Sequence, residues 1–527
     1  MDTNFAGKIL QFFTKAVCPI PRASHQEDLI ADSLEEFAAK RNLTSFRDDN
    51  NNVIVFKPGT GKYAGASTPV ILQAHTDMIC VPASADFSFG VEAYYSAENR
   101  LTGRSAVTGE KTSLGADDGI GVAVAMAVLD GGDGIVHPPL VAVFTAEEEC
   151  GLTGARDISA DDILGIAPGL DFGRTAFINL DDGRFGQFSV GCAGSANVTV
   201  KVPVERTGIA PPPDAFCFEF AVCGLAGGHS GLSIHEKRAN ANILLCISIN
   251  TLYHKDIDLQ ILDLGLCGDA SNAIPSAASV YAAVPADQEK RLRAEAEEIE
   301  SIFKQMYQEF DGGVRLEVRE SKEAASLAKT AEEKARKKHP SDSGHGDFDD
   351  GTPYSAGMIF NLAKLAEEID NGPIAFSAAM PQLVETSSNL GIMRDEGRHI
   401  AMVYMVRSSI DAERERAVEK MGREAESCGA EAEAGSRSPG WAYREKSALR
   451  DLFLAKYKEL FGEEAAASPV HAGLECGHFA EKFAKFKDMD FISCGPTTTE
   501  IHSVNETLHT ETVEKFGRLL IEVLGSL

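Results

Sequence analysis

The sequence predicts an α/β fold in which helices flank a central mixed sheet and an inserted α+β domain interrupts the chain. Three observations support this fold class. Up to about residue 190, short apolar segments alternate with helical patterns, as they do in βαβ units. After Gly194 the pattern changes to alternating strands with amphipathic helices between them. From about Ser438 the first pattern returns, so the two outer segments belong to one domain.

The domain boundaries follow from these changes of pattern. We expect residues 1–191 and 438–527 to form the first domain and residues 192–437 to form the inserted one. Glu320–Pro353 is rich in charged and small residues, which predicts a solvated, low-complexity insertion at about 320–353. Ser271–Val284 and Ser388–Val406 each contain Ser-Asn, a short turn and a strand, which suggests an internal duplication of the inserted domain.

The composition excludes several classes of partner. The chain has 79 acidic and 50 basic residues, a net charge of −29, and such a surface repels nucleic acids and anionic membranes. No apolar run reaches the roughly 18–20 residues that a membrane span needs. The 11 cysteines lack any Cys-x-x-Cys spacing, which argues against a zinc finger or a disulfide framework and favours the reducing cytoplasm.

Polar clusters follow the predicted strands of the first domain. Pro69–Ile79, Pro138–Gly151 and Ala176–Gly183 each pass from an apolar run into acidic or other polar residues. Leu114–Asp130 has a glycine-rich loop ahead of a helix of small residues. Because ligands bind beyond the carboxyl ends of strands in open α/β sheets, these clusters predict a site along one edge of the sheet.

The first two clusters carry residues suited to metal binding. His75 and Asp77 point the same way on a strand, so Asp77 can accept one ring N–H of His75 while the other nitrogen binds a metal. Asp117 lies between glycines in Gly115–Gly119 and could bridge two cations with its two oxygens. The alternatives are a hydrogen-bonded histidine at a strand end and a carboxylate that caps a helix.

Three further polar segments carry candidate metal ligands or a general base. In Glu147–Glu149, one carboxylate can bind metal while its neighbour takes a proton from water; the alternative is an acidic first helical turn. Asp181 follows a strand, and His502 lies in the polar segment Gly495–Glu506; each could equally be an ordinary turn or surface residue. Together, histidines and carboxylates without cysteine match a two-metal hydrolytic site better than a structural zinc site.

The order of these motifs resembles the di-zinc peptidase family that includes aminoacylases, peptidase T and carnosinases. The motifs are HTDM, GADDGIG, EECG, NLD, GGHSG and a terminal GP…HS…E. Four longer stretches resemble the bacterial aminoacyl-histidine dipeptidases: Ser113–Ala123, Gly227–Asn242, Val384–Ile392 and His471–Phe479. The resemblance covers the whole chain except Glu320–Pro353.

The resemblance implies a role for each candidate in the first domain. One zinc ion would be held by His75, Asp117 and Asp181, and the other by Asp117, Glu149 and His502. Asp77 would orient His75, and Glu148 would be the general base. Because three glutamates are consecutive, Glu147 and Glu148 remain an alternative working pair, although the continuation from Gly151 to Gly154 favours Glu148 and Glu149.

The inserted domain would be the family's lid. Its His229 would help to polarise the scissile carbonyl, and Arg407 would bind the substrate carboxylate. A turn histidine and a salt-bridged arginine are the alternatives. Two positions depart from the family pattern, since Asp118 stands where related dipeptidases usually have Asn, and Val504 stands where a proline commonly follows the serine.

The implied function is metal-dependent hydrolysis of dipeptides, including Xaa-His dipeptides such as carnosine, by a hydroxide bridging two metal ions. The ions would be Zn²⁺, with Mn²⁺ or Co²⁺ as alternatives. A related N-acyl amino acid amidohydrolase or tripeptidase would use the same site. A non-catalytic binding scaffold would require a lost ligand or base, and every such position is filled. Small peptides are the expected partners, with monomer and homodimer both open.

Overall fold

The structure, a computed structural model, describes residues 3–132, 134–337, 351–378 and 380–527. The chain divides into two compact units, one formed by Met1–Cys192 with Gly440–Leu527 and the other by Ala193–Pro439. Across the described ranges, every helix is too short or too polar to cross a membrane.

The first unit begins with strands and helices in alternation. The strands are β1 (Thr44–Arg47), β2 (Val53–Lys57), β3 (Val70–His75), β4 (Val91–Ala97), β5 (Arg100–Ser105), β6 (Lys111–Thr112), β7 (Leu140–Thr145), β8 (Ala176–Asn179) and β9 (Gln187–Cys192). The helices are α1 (Thr3–Phe12), α2 (Asp28–Ala39), α3 (Ala116–Asp130), α4 (Thr153–Asp157) and α5 (Ala160–Gly165). A π-helical turn, Phe13–Val17, continues α1, and Gly61–Tyr63 forms a 3₁₀ turn.

The second unit consists of antiparallel sheets and helices. Its strands are β10 (Gly194–Pro203), β11 (Phe216–Cys223), β12 (Gly228–His229), β13 (Gln260–Leu264), β14 (Ala273–Ile274), β15 (Ala278–Val284), β16 (Arg315–Glu320), β17 (Gly372–Phe376), β18 (Val384–Asp395), β19 (His399–Ser408) and β20 (Glu431–Ser438). Its helices are α6 (Ala241–His254), α7 (Glu289–Met306), α8 (Lys322–Lys337), α9 (Ala356–Glu368) and α10 (Asp411–Ser427), with 3₁₀ turns at Ile234–Glu236 and Ala286–Gln288.

The chain then returns to the first unit. Its last strands are β21 (Ala466–Val470), β22 (Asp490–Ser493), β23 (Thr498–Thr499) and β24 (Thr507–His509), and its last helices are α11 (Ala448–Phe461), α12 (Glu475–Lys482) and α13 (Thr510–Leu524). Strand β22 pairs with β8, so the end of the chain contributes to the sheet begun by its first part.

The large sheet of the first unit has the order β1-β2-β7-β3-β8-β22-β9-β21. Its four central strands, β7, β3, β8 and β22, run parallel, and β1 and β2 pair antiparallel with their neighbours. Strand β9 pairs antiparallel with β22 and parallel with β21. The register aligns His75 with Thr145 and Gln73 with Asn179, so β3, β7 and β8 end side by side. A smaller sheet joins β4, β5, β6, β23 and β24.

Helices cover both faces of the large sheet. Leu72 of β3 belongs to one hydrophobic cluster, which also contains Val122 of α3 and Phe516 of α13. Its neighbour Ile71 belongs to a second cluster, which also contains Phe479 of α12. This division follows from the alternation of side chains along a strand. The predicted α/β fold with a mixed central sheet flanked by helices is therefore confirmed.

The second unit contains a five-stranded sheet, β17-β18-β19-β10-β20, a four-stranded sheet, β13-β15-β11-β16, and the pair β12-β14. The two segments proposed as a duplication differ locally, because Ser271 and Asn272 lie in a turn before β14 whereas Ser388 and Asn389 lie inside β18. The internal duplication stays a prediction, as does the role of this unit as a lid.

The predicted low-complexity insertion at 320–353 is wrong in its first half. Helix α8 occupies Lys322–Lys337, and its Ala324 and Ala331 are fully buried. Ala324 packs with Leu262 and Ala283, so small residues at helical spacing form an apolar stripe despite the many charges around them. Residues 338–350 of the predicted insertion lie outside the described residues.

Candidate metal centre

His75 is the last residue of β3 and is buried. Its Nδ1 lies 3.3 Å from Oδ1 of Asp77, and its Nε2 lies 3.3 Å from Oδ1 of Asp117. Burial alone would lower the pKa of His75, but the contacts with the two carboxylates raise it well above the usual range. Each ring nitrogen of His75 therefore lies close to one carboxylate.

Asp77 also holds the glutamate loop that follows β7. Its carboxylate accepts hydrogen bonds from the backbone N–H of Glu148, at 2.9 Å, and of Glu149, at 3.2 Å. Ser24 Oγ donates a third bond, at 2.7 Å. Burial opposes ionisation of Asp77, but the neighbouring His75 and these bonds lower its pKa to about 2. Asp77 thus connects the loop of Glu148 to the strand of His75.

Asp117 lies in the first turn of α3, and its peptide bond to Asp118 is cis. Its two carboxylate oxygens face two different histidines, since Oδ1 lies 3.3 Å from Nε2 of His75 and Oδ2 lies 3.3 Å from Nε2 of His502. Burial opposes ionisation, yet His502 and His75 lower the pKa of Asp117. This arrangement suits a carboxylate that bridges two cations.

The three consecutive glutamates after β7 point to different partners. Glu149 Oε1 lies 2.9 Å from Nε2 of His502, whereas Glu147 Oε1 lies 2.9 Å from Nδ1 of His25. Withdrawal from water, together with neighbouring carboxylates, raises the pKa of Glu148 well above its usual range. The geometry therefore favours Glu148 and Glu149 over Glu147 and Glu148 as the working pair.

His502 contacts this group, and Asp181 interacts with it electrostatically. Asp181 follows β8, and burial and the charge of Asp117 raise its pKa well above the usual range. His502 lies in the loop between β23 and β24, where its contacts with Asp117 and Glu149 raise its pKa to about 10. The side chain of His502 is 45% exposed, so this edge of the group is open to water.

These residues fit a divalent metal centre. Donor atoms of His75, Asp117 and Glu149 all lie within 4.8 Å of one another. Asp118, Glu148 and Asp181 all have raised pKa values, with burial as the first cause and neighbouring carboxylates as a further one, so these carboxyl groups resist ionising together. Imidazole and carboxylate ligands suit zinc and manganese, and a cation would relieve this repulsion.

A buried polar network lies beneath the centre and was not predicted. Gln73 Nε2 donates to Oε2 of Glu475 at 2.5 Å, and Thr145 Oγ1 donates to the same oxygen at 3.0 Å. Gln73 Oε1 accepts from Nδ2 of Asn179 at 2.6 Å, and Ser493 Oγ donates to Oδ1 of Asn179 at 2.5 Å. Glu475 is the first residue of α12, so these hydrogen bonds connect α12 to the ends of β3, β7, β8 and β22.

In the second unit, His229 and Arg407 lie near each other. His229 Nδ1 accepts hydrogen bonds from the backbone N–H of Gly231, at 3.1 Å, and of Leu232, at 3.0 Å, which leaves the ring proton on Nε2. Burial and the charge of Arg407 lower the pKa of His229 to about 4. Arg407 Nε donates to Ser230 Oγ at 3.4 Å.

Arg407 is 6% exposed, and burial lowers its pKa to about 10. Among the residues that the structure describes, no carboxylate forms an ion pair with it, and its hydrogen bond goes to the Ser230 hydroxyl. A buried guanidinium without a carboxylate partner is suited to an anionic ligand. The alternative of a surface salt bridge is therefore less well supported.

Comparison with known proteins assigns the family. Residues 71–525 match the model of peptidase family M20/M25/M40, and this chain belongs to that family. It is a peptide hydrolase, and the predicted resemblance to this group of peptidases is confirmed.

The individual proteins that this chain resembles are also peptidases. The chain is 30% identical to the cytosol non-specific dipeptidase of Escherichia coli (strain K12) over 516 residues, which cover 96% of this chain and 95% of that protein. The crystal structure of aminoacylhistidine dipeptidase from Vibrio alginolyticus has a TM-score of 0.77 at 27% identity and covers 99% of this chain and 96% of that one. Aminopeptidase PepT from Bacillus cereus shares the fold, with a TM-score of 0.55 at 15% identity over 99% of this chain and 98% of that one.

Proposed function

We propose that this protein is a metal-dependent dipeptidase whose substrates include dipeptides with a C-terminal histidine. The observation that carries the proposal is the convergence of donor atoms from His75, Asp117 and Glu149 within 4.8 Å, with His502 against two of them. The similarity to a non-specific dipeptidase and to an aminoacylhistidine dipeptidase supports this choice of substrate class.

We assign two divalent ions to this centre, with Zn²⁺ as the first candidate and Mn²⁺ or Co²⁺ as alternatives. One ion would be held by His75, Asp117 and Asp181, and the other by Asp117, Glu149 and His502. Asp117 is the shared ligand because its two oxygens face His75 and His502 separately. When bound, the ions would acidify a water molecule and polarise the scissile carbonyl.

Glu148 is the proposed general base. It takes a proton from the attacking water and delivers it to the leaving amine, so the same carboxyl acts first as base and then as acid. Its raised pKa suits this exchange, because a carboxyl that is too acidic would not retain the proton long enough to donate it. Asp77 holds Glu148 in place through the backbone N–H of that residue.

His229 and Arg407 are the proposed substrate contacts of the second unit. With Nδ1 committed to two backbone amides, the Nε2–H of His229 is a neutral donor suited to the oxyanion that develops on the carbonyl. Arg407 would pair with the terminal carboxylate of the dipeptide, which would favour short peptides over longer chains. We place the protein in the cytoplasm, with small peptides as its substrates.

The test is amino acid release from a panel that contains β-alanyl-histidine, other dipeptides, a tripeptide and an N-acyl amino acid. Each substrate is measured with the purified protein, with the chelated protein, and after Zn²⁺ or Mn²⁺ is returned. Cleavage of dipeptides that is lost on chelation and restored by metal supports the proposal. Preferential cleavage of the tripeptide or the N-acyl amino acid would replace the dipeptidase assignment, and metal binding without any cleavage would refute the reaction.

A further inference from the structure

The loop that presents Asp117 is held by a carboxylate that lies outside the donor group. Glu506 is 2% exposed and accepts four backbone hydrogen bonds from this loop. Its Oε2 accepts from the N–H of Leu114, at 2.8 Å, and of Gly115, at 2.9 Å, and its Oε1 accepts from Ala116, at 2.7 Å, and from Asp117, at 3.1 Å. One side chain thus binds every amide from Leu114 to Asp117.

A buried arginine, Arg22, also binds this loop by donating a hydrogen bond to one of its backbone carbonyls. Arg22 is 2% exposed, its Nη2 donates to the carbonyl of Gly115, and its Nη1 donates to the carbonyls of Thr76, at 2.9 Å, and Asp77, at 3.0 Å. The carbonyl of Arg22 accepts in turn from the N–H of Met78, at 3.0 Å. Arg22 therefore joins the segment after His75 to the loop before Asp117.

The glycines of this loop leave room for the guanidinium. A Cβ atom at Gly119 would lie 2.5 Å from Nη2 of Arg22, and a Cβ at Gly115 would lie 2.6 Å from Sδ of Met78 and would also meet Arg22. Gly115 has a φ of 68°, a conformation that favours glycine. The absence of a side chain at Gly115 and Gly119 therefore allows Arg22 to lie against this loop.

We propose that Arg22 and Glu506 are positioning residues that set the place of Asp117 relative to His75 and His502. The contacts described above join Arg22 and Glu506 to the backbone and not to the proposed ligand atoms. Glu506 follows His502 by four residues, and Arg22 holds the residues that follow His75, so the two side chains connect three ligand-bearing segments. This inference rests on the proposed metal centre.

The physical reason is the sensitivity of a bridging ligand to position. A carboxylate that serves two ions must meet both at once, and a shift on the order of an ångström costs binding to one of them. Loss of either contact frees the loop while leaving every ligand in the chain.

The test compares Glu506→Gln and Arg22→Lys with the unchanged protein. In Glu506→Gln, an amide N–H₂ replaces one acceptor oxygen and faces backbone donors, so at least two of the four bonds are lost. Arg22→Lys keeps the charge but replaces a fork that reaches three carbonyls by a single ammonium. Asp490→Asn is the matched control, because Asp490 also accepts a backbone N–H, from Leu449 at 3.0 Å, at the start of α11.

Zn²⁺ affinity is measured by competition with a chelator, and kcat and KM are measured on a dipeptide at limiting and saturating metal. We expect both variants to bind Zn²⁺ roughly 10- to 100-fold more weakly and to lose kcat with little change in KM, and we expect excess metal to restore much of the activity. The control should keep the affinity of the unchanged protein.

A variant that folds, as judged by circular dichroism, and binds metal as tightly as the control would overturn the inference. If Glu506→Gln does not fold, Arg22→Lys decides the outcome by the same measurements. Failure of the proposed function would look different, since the unchanged protein itself would then bind no metal or cleave no dipeptide.

Discussion

The Nε2 atom of His502 lies 2.9 Å from Oε1 of Glu149, although 353 positions of sequence separate the two residues. His502 comes from the loop between β23 and β24, and Glu149 comes from the loop after β7. The return of the chain to its first unit therefore supplies a histidine to a group of carboxylates that the first 192 residues contain.

Substitution Glu148→Gln should lower kcat by roughly 100- to 10,000-fold, because the amide cannot accept the proton of the attacking water. The metal content, measured on the purified protein by mass spectrometry, should stay unchanged. Glu147→Gln is the matched control, since Glu147 contacts His25 instead of the donor group. Loss of metal in Glu148→Gln, or an equal loss of activity in Glu147→Gln, would show that the glutamates are misassigned.

Substitution Asp77→Asn should weaken metal binding roughly 10- to 100-fold and lower kcat. The amide retains one acceptor oxygen, whereas the carboxylate accepts from both Glu148 and Glu149 and lies against His75. Ser24→Ala removes only the hydroxyl bond to Asp77 and should have a smaller effect. Competition with a metal-binding dye measures the metal affinity of both variants and of the unchanged protein. An affinity of Asp77→Asn equal to that of the unchanged protein would contradict the role given to Asp77.

Glu475 should make the metal-free protein less stable as the pH rises. Burial raises the pKa of this carboxyl from 4.5 to about 7, so the folded protein retains a proton that the unfolded chain releases. Its contribution to the free energy of unfolding is fully present below about pH 4 and is lost by pH 7, a change on the order of 3 kcal/mol.

The variant Glu475→Gln keeps an acceptor for Gln73 and Thr145 and removes the titrating group. Urea unfolding of the chelated proteins at pH 5 and pH 8 should show a smaller decrease in stability for the variant than for the unchanged protein. Other carboxylates titrate in both proteins, so their effects cancel in the difference. Parallel pH profiles would show that Glu475 is ionised throughout this range.

Substitution Arg407→Lys should raise KM for dipeptides at least about tenfold with a smaller effect on kcat, because lysine cannot pair with a carboxylate through two N–H groups. The same variant should barely change the kinetics of a dipeptide amide, which has no terminal carboxylate. Arg394→Lys is the control, since Arg394 is exposed and pairs with Glu396. Equal increases in KM for the acid and the amide would remove Arg407 from substrate binding.

Local pattern was sufficient for much of the fold. The segments Pro69–Ile79 and Pro138–Gly151, predicted to pass from a strand into polar residues, contain β3 (Val70–His75) and β7 (Leu140–Thr145). The sequence pattern did not predict helix α8 (Lys322–Lys337), because its few apolar positions are alanines among many charged residues. Their apolar role is visible only in the structure, where Ala324 packs with Leu262 and Ala283. A stripe of alanines becomes a packing surface only when a partner of matching shape lies against it.

Residue types and their order along the chain were enough to predict which side chains follow the strands, and their histidine and carboxylate chemistry pointed to a metal centre and to the peptidase family. The folded structure was needed to see that Glu147 contacts His25, that Glu475 bonds to Gln73 beneath the centre, and that Arg22 and Glu506 bind the loop of Asp117. Periodicity and residue type are local properties of a chain. Contacts such as Arg22 to Gly115, 93 positions apart, or Glu506 to Ala116, 390 positions apart, exist only after the backbone has folded and brought donors and acceptors together.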